Sequence, residues 1–220
     1  MDKKVAILIP TYGRPHRIAP LIENITSVTD MSLVEIVFIV EADDQATIDA
    51  CESLGVTYLI NTRARNYAGA MNTAVRTLQN EFFYASSDDF LYHENWLQPL
   101  LNYSAAYSVV GSNDLGNPAV AQGQLAVAFL IKKSYLSRAV LDSPGDMVHE
   151  GYLHNFADTE LTQTAISQNE YGYCSESIVE HMHPAFGKGA DDNTYHLQDG
   201  TWDHDAMVYQ TRSILWSRKF

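Results

Sequence analysis

Apolar positions along the chain follow two spacings that alternate through its first half. Short, nearly continuous apolar runs are typical of buried strands, and apolar residues at every third or fourth position are typical of amphipathic helices. The predicted strands are "KVAILIP", "VEIVFIV", "VTYLI" and "EFFYAS". The predicted helices are "PHRIAPLIENITSV", "DDQATIDACESLG", "NYAGAMNTAVRTLQ" and "ENWLQPLLNYSAAYS". Pro15 suits a first helical turn, and Gly55 suits a helix end.

The second half of the chain has a less regular pattern. Two segments, "QLAVAFLI" and "SESIVEHMHP", are predicted strands. The predicted helices are "KKSYLSRAVL", "NFADTELTQTAISQ" and "DHDAMVYQTRSILWSRKF". Between the last strand and the last helix, the Gly- and Asp-rich segment "AFGKGADDNTYHLQDG" predicts a mobile loop.

The order of these elements predicts the fold class. Strands that alternate with helices favour right-handed crossovers and a mainly parallel sheet. The chain has 220 residues, which fits one α/β domain and makes two full domains unfavourable. No repeat or long linker interrupts the pattern. We therefore predict a single α/β domain whose mainly parallel sheet is flanked by helices.

Composition narrows the class of protein further. Hydrophobic residues make up 46% of the chain, which is enough for a folded core. The longest apolar runs are too short to span a bilayer, and no signal-length apolar region begins the chain, so a soluble, cytoplasmic protein is expected. The formal net charge of −13 opposes non-specific binding to a polyanion. Cys51 and Cys174 lack metal-finger spacing and are expected to be reduced, buried thiols.

Polar and charged residues follow the predicted strands, at the edge where an open parallel sheet binds its ligands. The first strand is followed by "PTYGRP", the second by "EADD" and the fourth by "SSDD". Arg63 and Arg65 follow the third strand. One edge of the sheet is therefore expected to collect several carboxylates and two arginines.

Two adjacent carboxylates, Asp88 and Asp89, end the fourth strand. Like charges side by side repel each other unless a cation lies with them. Mg²⁺ takes oxygen ligands and is typically held by one or two carboxylates together with substrate phosphates. A metal ion would also stabilise charge on a diphosphate leaving group. This carboxylate pair near two arginines therefore predicts a metal–phosphate site.

Five segments, taken in chain order, resemble glycosyltransferases of the GT-A fold in family 2. The opening "VAILIPTYGRP" resembles the first strand and nucleotide loop of that family, and "VFIVEADD" resembles the strand with its base-reading carboxylate. The third segment, "NTRARNYAGAMNTAV" followed by "EFFYASSDDF", resembles the helix and strand that lead to its DXD-type metal motif. Later, "FADTEL" resembles its acidic motif, and "VEHMHP" its histidine segment. Two departures are "SDD" at the metal motif, and "EADD" in place of "DDGS".

The resemblance covers most of the chain and implies how it is organised. Residues 1–220 would form one Rossmann-like GT-A domain. Residues 1–90 would be its nucleotide-sugar-binding half, and residues 91–220 its acceptor-binding and catalytic half.

The resemblance also implies residue roles. A nucleotide-diphosphate sugar would be the donor, and Mn²⁺ or Mg²⁺ the cofactor. Asp89 would ligate the metal directly, with His183 as the second protein ligand and His181 as the alternative. Asp158 would be the catalytic base, with Glu160 as the fallback. The residues implied to contact the donor are Pro10, Thr11, Tyr12, Glu41, Arg65 and Asp88.

A single carboxylate base implies an inverting transfer, in which the acceptor hydroxyl attacks the anomeric carbon without a covalent sugar–enzyme intermediate. Short phage-type transferases are similar in "SSDDF", "FADTEL" and "EHMHPAFGK". That similarity implies a viral or microbial enzyme, acting in the host cytoplasm if viral. It also implies an acceptor: a hydroxymethylated nucleobase in DNA, or otherwise a cell-surface glycan. The acidic net charge counts against duplex DNA.

Structural explanations compete with several of these roles. Asp88 and Asp89 could cap a following helix, and Asp44 could cap the helix that it precedes. Asp158 lies near a helix start, where the dipole stabilises an acid in any case, and Asn155 with Asp158 loosely resembles a capping pair. Arg63 and Arg65 could be surface charges. Asp203 and Arg212 could fold over the diphosphate, but an exposed helix charge is their default explanation.

Two other functions stay open at this point. A sugar nucleotidyltransferase would need a Gly-rich, basic loop after the first strand, whereas "PTYGRPHR" has one glycine and two arginines. A non-catalytic nucleotide-sugar-binding protein would keep the donor site without turnover. Consumption of a bound donor distinguishes an enzyme from such a protein.

Overall fold

A computed structural model describes residues 4–197 and 199–217. The described residues form one sheet whose strands are β1 (Val5–Thr11), β2 (Val34–Val40), β3 (Thr57–Ile60), β4 (Phe82–Ala85), β5 (Phe90–Tyr92), β6 (Val109–Asp114), β7 (Phe129–Lys132) and β8 (Tyr171–His181). The larger helices are α1 (Pro15–Val28), α2 (Gln45–Leu54), α3 (Tyr67–Thr77), α4 (Leu97–Tyr103), α7 (Ala157–Ser167) and α9 (Trp202–Arg212). The short helices are α5 (Pro118–Ala121), α6 (Leu136–Ala139), α8 (Asn193–His196) and α10 (Ile214–Ser217).

The sheet is mixed, with the strand order β3-β2-β1-β4-β7-β6-β8-β5. The first four strands in this order are parallel, as the alternating pattern of the sequence predicts. Beyond them, β7 runs antiparallel to both β4 and β6, β6 and β8 are parallel, and β5 is antiparallel to β8. The predicted α/β fold is therefore confirmed, and antiparallel pairs complete the sheet in the second half of the chain.

The core consists of two apolar layers, one on each face of the sheet. Alternating residues of β1 divide between the two layers, as the period of a strand requires. On one face, Leu8 lies in a cluster with Met71 of α3 and Phe83. On the other face, Ile7 lies in a cluster with residues of α1 and with Trp96, which is fully buried. Helices on both faces thus fix the strand ends where the site lies.

The register of the parallel strands brings the predicted strand ends together. Thr11 at the end of β1 pairs with Val40 at the end of β2, so Glu41 begins just beyond this edge. Leu8 pairs with Ala85, and the Ser86 N–H donates to the Leu8 carbonyl at 3.1 Å. The segment that follows β4 therefore lies at the same edge as the loop that follows β1.

The pairing of β5 with β8 positions the acidic pair relative to the histidine segment. Phe90 pairs with His181, and the two rings stack with centroids 4.7 Å apart. The Met182 N–H donates to the Asp89 carbonyl at 2.8 Å. A residue that precedes β5 is thus held against the end of a strand that forms much later in the chain.

Several element boundaries differ from the predictions. The apolar pattern does not predict β5 or β6, because both are short and carry polar or exposed positions in an irregular order. Strand β7 begins at Phe129 rather than at Gln124, and α4 begins at Leu97 rather than at Glu94. The predicted C-terminal helix is divided at Ser213, and its last residues, 218–220, lie outside the described part of the chain.

Other expectations are met. Asp44 caps α2 by accepting a hydrogen bond from the Thr47 N–H, and Gly55 ends that helix with a φ of 64°. Both cysteines are free and buried. Among the described helices, none combines the length and the apolar character that a membrane crossing requires.

Candidate active site

A cleft of about 610 Å³ opens at the strand ends. Its wall includes all six residues predicted to contact a donor, namely Pro10, Thr11, Tyr12, Glu41, Arg65 and Asp88. Residues that were not predicted also line it, among them Arg14, Tyr67, His154 and Thr194. Asp89, Asp158 and His183 are not among its lining residues. The predicted donor residues are therefore brought together by the fold.

Glu41 and Arg65 both line the cleft, but they are held there differently. Glu41 accepts a hydrogen bond from the Asn61 side-chain amide at 2.8 Å, which orients its carboxylate within the cleft wall. Arg65 is half-exposed, its guanidinium lies 4.3 Å from the centre of the Tyr12 ring, and it pairs with Asp43 at 2.9 Å. Arg65 is thus both a surface charge and a lining residue. Arg63 instead pairs with Glu150 and does not line the cleft.

Asp88 is buried and its carboxylate is fully engaged. Its Oδ2 accepts a hydrogen bond from the Thr11 hydroxyl at 2.7 Å, and its Oδ1 accepts one from Arg14 at 2.8 Å. Burial raises the pKa of Asp88 by more than Arg14 lowers it, and the neighbouring Asp89 charge adds to the rise. Asp88 therefore joins the loop after β1 to the end of β4.

Asp89 is buried beside Asp88, and its two carboxylate oxygens have different surroundings. Its Oδ2 accepts a hydrogen bond from the Tyr195 hydroxyl at 2.9 Å. Its Oδ1 lies 3.2 Å from His181 Nε2, out of line for a hydrogen bond, and accepts none from the described residues. Burial raises the pKa of Asp89, but His181, Ser87 and Tyr195 together outweigh burial, so the pKa of this carboxyl lies below its usual range.

This geometry fits a divalent cation. The Asp89 oxygen is compensated here by the His181 ring at 3.2 Å, and a buried carboxylate oxygen is also the kind of hard ligand that Mg²⁺ and Mn²⁺ take. The described residues contain no cluster of three or more His, Cys, Asp or Glu side chains arranged to hold a metal by themselves. Water and substrate phosphates would have to supply the remaining ligands, as is usual for Mg²⁺.

Neither aspartate acts as a helix cap. The chain runs from Asp89 directly into β5, and α4 begins only at Leu97. No side chain caps the start of α4 by a hydrogen bond. The competing structural explanation for the pair is therefore excluded.

The two histidines have different surroundings. His181 lies against Asp89, and Asp89 raises the pKa of His181 by more than burial lowers it. His183 Nδ1 accepts a hydrogen bond from the Ala185 N–H at 3.1 Å, which leaves the proton of the neutral ring on Nε2. A metal at His183 Nε2 would require that proton to leave. His181, whose pKa is raised, would likewise have to lose a proton to bind a metal. His183 therefore stays the predicted ligand, with His181 as its alternative.

Asp158 lies half-buried in the first turn of α7. Its Oδ1 accepts a hydrogen bond from the Thr159 N–H at 2.7 Å. Burial raises its pKa by more than that contact lowers it, and the nearby His181 also lowers it. The predicted pairing with Asn155 does not form, because the Asn155 amide donates to Thr201 and Asp205.

The residue before α7 has an uncommon backbone. Phe156 has a φ of 66°, which is an outlier for a bulky side chain. Its ring packs against Trp202 and Tyr209, with centroids 4.7 and 5.2 Å away. Asp205, fully buried on α9, accepts backbone hydrogen bonds from residues 153–155. Helix α9 thus holds the loop that leads into α7, where Asp158 lies.

Glu160, the fallback base, is occupied elsewhere. It is buried, accepts three hydrogen bonds from Arg212 and accepts another from the Tyr152 hydroxyl at 2.6 Å. Arg212 donates two more to Asp142. The expectation that Arg212 is a surface charge, or folds over a diphosphate, is therefore wrong, because it is a buried partner of Glu160. Asp203 is exposed, as expected.

Replacing Arg212 by lysine is expected to lower the free energy of unfolding by about 1–3 kcal/mol, because lysine keeps the charge but cannot donate the same fork of hydrogen bonds to two carboxylates. Urea denaturation measures the change. Arg138→Lys is the matched control, since Arg138 is half-exposed and pairs with Glu170 at the surface. A change within about 0.5 kcal/mol for both variants would contradict the structural role of Arg212.

Sequence reasoning also missed four residues around the acidic pair. Arg14 precedes α1 and Arg17 lies in its first turn, and they contact Asp192 and Tyr195 at α8. The two arginines are visible in "PTYGRPHR", but nothing in the sequence indicates that "DDNTYH" returns to them.

The fold and the cleft define a GT-A glycosyltransferase domain. Among solved structures, the chain is similar to a Pyrobaculum calidifontis mannosyltransferase in complex with GDP-Man and Mn²⁺, with 16% identity and a TM-score of 0.65, over 97% of this chain and 76% of that one. It is also similar to Mycobacterium tuberculosis glucosyl-3-phosphoglycerate synthase in complex with Mn²⁺, UDP and glucosyl-3-phosphoglycerate, with 9% identity and a TM-score of 0.68, over 94% and 79% of the two chains. These likenesses show the fold.

Sequence comparison gives the family. The sequence model of Glycosyl transferase family 2 matches residues 6–149. This match includes the loop after β1, the end of β2 and the acidic pair, and it stops before Asp158 and the histidine segment. No curated protein sequence matches the chain significantly. The chain belongs to glycosyl transferase family 2, and it is a glycosyltransferase.

Proposed function

We propose that this glycosyltransferase uses a nucleotide-diphosphate sugar and Mn²⁺ or Mg²⁺ to transfer the sugar to an acceptor hydroxyl with inversion. The observation that carries the proposal is the buried pair of Asp88 and Asp89 at the cleft end, with one Asp89 oxygen accepting no hydrogen bond from the described residues. The similar mannosyltransferase is in complex with GDP-Man and Mn²⁺, and the similar synthase with UDP and Mn²⁺ or Mg²⁺.

The nucleotide would occupy the cleft between the loop after β1 and the end of β2. Tyr12 with Arg65 offers a planar, charged surface at the mouth of the cleft, and Glu41 offers a carboxylate acceptor for the base or ribose. Asp88 lies between them and the metal position, where it would face the ribose. Hydrogen bonds from Thr11 and Arg14 hold its carboxylate in one orientation.

The metal would be held by Asp89 with His181 or His183. When bound, the cation neutralises charge that builds on the departing diphosphate. Asp89 is suited to this role because it is held ionised, with its pKa below the usual range. The adjacent pair would lose its mutual repulsion at the same time.

Asp158 would remove the proton of the acceptor hydroxyl. The acceptor oxygen then bonds to the anomeric carbon from the face opposite the diphosphate, and the carbon–oxygen bond to the diphosphate breaks with its electron pair on the leaving group. Inversion follows because one displacement occurs at that carbon. The raised pKa of Asp158 suits a base, since a more basic carboxylate is the better proton acceptor as long as it stays ionised.

The acceptor would approach from the side of α7 and α9. A hydroxymethylated nucleobase and a glycan hydroxyl are the two acceptors to compare. The net charge of −13 favours the glycan over duplex DNA.

The test is release of nucleoside diphosphate from UDP-glucose, GDP-mannose and related donors, with MnCl₂ or with EDTA. We expect one donor to be consumed, slowly by water and faster with an acceptor oligosaccharide or hydroxymethylated DNA, and EDTA to abolish consumption. Consumption unaffected by EDTA would contradict the metal. Donor binding with no turnover for any acceptor would favour a non-catalytic protein, and pyrophosphate release from a nucleoside triphosphate and a sugar 1-phosphate would favour a nucleotidyltransferase.

A further inference from the structure

We infer that Arg14 and Arg17 form the subsite for the donor's diphosphate, and that the Asp192 carboxylate competes with the diphosphate for it. This inference rests on the proposed function. It adds two binding residues that the sequence did not indicate, and it gives the segment around α8 a role in controlling access to the donor site.

The contact between Arg14 and Asp192 is a two-pronged ion pair. Arg14 Nε donates to Asp192 Oδ2 at 3.0 Å, and its NH2 donates to Oδ1 at 2.8 Å. A guanidinium binds carboxylates and phosphates with this same forked geometry. Arg14 is also anchored apart from Asp192, because its NH1 donates to Asp88 Oδ1 at 2.8 Å. What Asp192 occupies is therefore a preformed anion site.

Arg17, in the first turn of α1, completes the site. Its NH2 donates to Asp192 Oδ2 at 3.0 Å, and its NH1 donates to the Tyr195 hydroxyl at 3.0 Å. The Tyr195 ring lies 4.0 Å from the Arg14 guanidinium carbon. One carboxylate thus takes hydrogen bonds from two arginines, which also face the Asp88 and Asp89 carboxylates. A cation held by that acidic pair would offset its charge and leave the two guanidiniums to bind an anion such as a diphosphate.

The position of this anion site suits a metal-bound diphosphate. Arg14 lines the cleft and also donates to Asp88, while Arg17 NH1 lies 4.0 Å from both Asp88 and Asp89. A diphosphate here would lie between the two arginines and a cation held by the Asp88–Asp89 pair. Tyr195 donates to the Asp89 oxygen opposite the one that accepts no hydrogen bond from the described residues, so the α8 segment contacts both halves of the site.

The segment that carries Asp192 is held mainly by polar contacts. Helix α8 has four residues and buries none of them. Beyond the contacts of Asp192 and Tyr195, the Thr194 hydroxyl donates to the Tyr12 carbonyl at 3.2 Å. Because little apolar surface would be exposed by its release, an anion with greater charge can displace this segment.

The experiment compares Asp192→Asn with Asp191→Asn. The amide that replaces the Asp192 carboxylate keeps a side-chain oxygen that can cap α8, but it lacks the charge that holds the arginines. Asp191 is the matched control, since it is exposed and pairs only with His196 at the surface among the described contacts. Titration calorimetry with UDP and with GDP in MnCl₂ gives each dissociation constant. A third variant, Arg17→Gln, tests the subsite directly.

If Asp192 competes, only the fraction of molecules in which Asp192 has left the arginines can bind the diphosphate, and the apparent affinity is reduced by that fraction. Asp192→Asn should raise this fraction and therefore tighten binding of the preferred nucleotide by about tenfold. Arg17→Gln should weaken binding by about tenfold, since it removes a charge-assisted contact, and Asp191→Asn should leave it unchanged. Unchanged or weaker binding by Asp192→Asn, with wild-type binding intact, would overturn this inference alone. Failure of both nucleotides to bind either protein would overturn the proposed function with it.

Discussion

Replacing Asp158 by asparagine is expected to lower the rate of sugar transfer by about 10²- to 10⁴-fold, the usual contribution of a positioned general base. Asparagine has nearly the same shape and can still accept the hydrogen bond from the Thr159 N–H. The start of α7 should therefore stay folded, and donor affinity should change little. Steady-state kinetics with saturating donor separates the two effects, because loss of the base lowers kcat rather than donor binding.

The pH dependence gives a second readout for Asp158. Its pKa is raised by burial, so protonation removes the base at a pH above the ordinary aspartate value of about 4. The rate of the wild type should fall as the pH drops through that raised pKa, and Asp158→Asn should lack this acidic limb. Asp203→Asn, at an exposed position of α9, is the control. An acidic limb that persists in Asp158→Asn would assign it to another group.

The parallel half of the fold could be predicted because its signals are local. Strands β1 and β2 are continuous apolar runs, and Asp44 and Gly55 are placed as helix caps require. The donor-binding residues follow from the same pattern, since ligands bind beyond the ends of parallel strands. All six of them line one cleft.

The rest could not be predicted because it depends on contacts between distant segments. Strand β5 has three residues and exists through its pairing with β8, which is also what places His181 against Asp89. Arg14 and Asp192 are separated by 178 positions. Arg212 has the spacing of an exposed helical charge, and only the packing of α10 against α7 and α9 brings it, buried, beside Glu160.

Replacing Asp89 by asparagine is expected to lower metal-dependent sugar transfer by about 10²-fold or more, because a catalytic cation contributes several kcal/mol of stabilisation to the transition state. The amide removes the negative charge that would hold the cation and leaves an uncharged oxygen near His181. A higher Mn²⁺ concentration should restore part of the rate if the metal still enters. The exposed Asp49→Asn on α2 serves as the control.

The Asp89 variant also separates a metal ligand from a structural acid. If Asp89 were only a structural acid, its replacement would lower the thermal stability of the protein, and the dependence of sugar transfer on Mn²⁺ would stay unchanged in the molecules that remain folded. A metal ligand would shift that dependence to higher Mn²⁺ concentration. Transfer by Asp89→Asn at the wild-type rate and the wild-type Mn²⁺ requirement would exclude Asp89 from the metal site.

The most direct measurement is the thermal stability of the wild type and of Asp89→Asn with a panel of nucleoside diphosphates, each with and without Mn²⁺. A ligand that binds only the folded protein stabilises it by about 2.7 kcal/mol at one hundred times its dissociation constant. We expect one nucleotide to raise the melting temperature of the wild type only when Mn²⁺ is present, and Asp89→Asn to lose that increase. A nucleotide that stabilises both proteins equally, or stabilises the wild type without Mn²⁺, would contradict a metal-bound donor at Asp88 and Asp89.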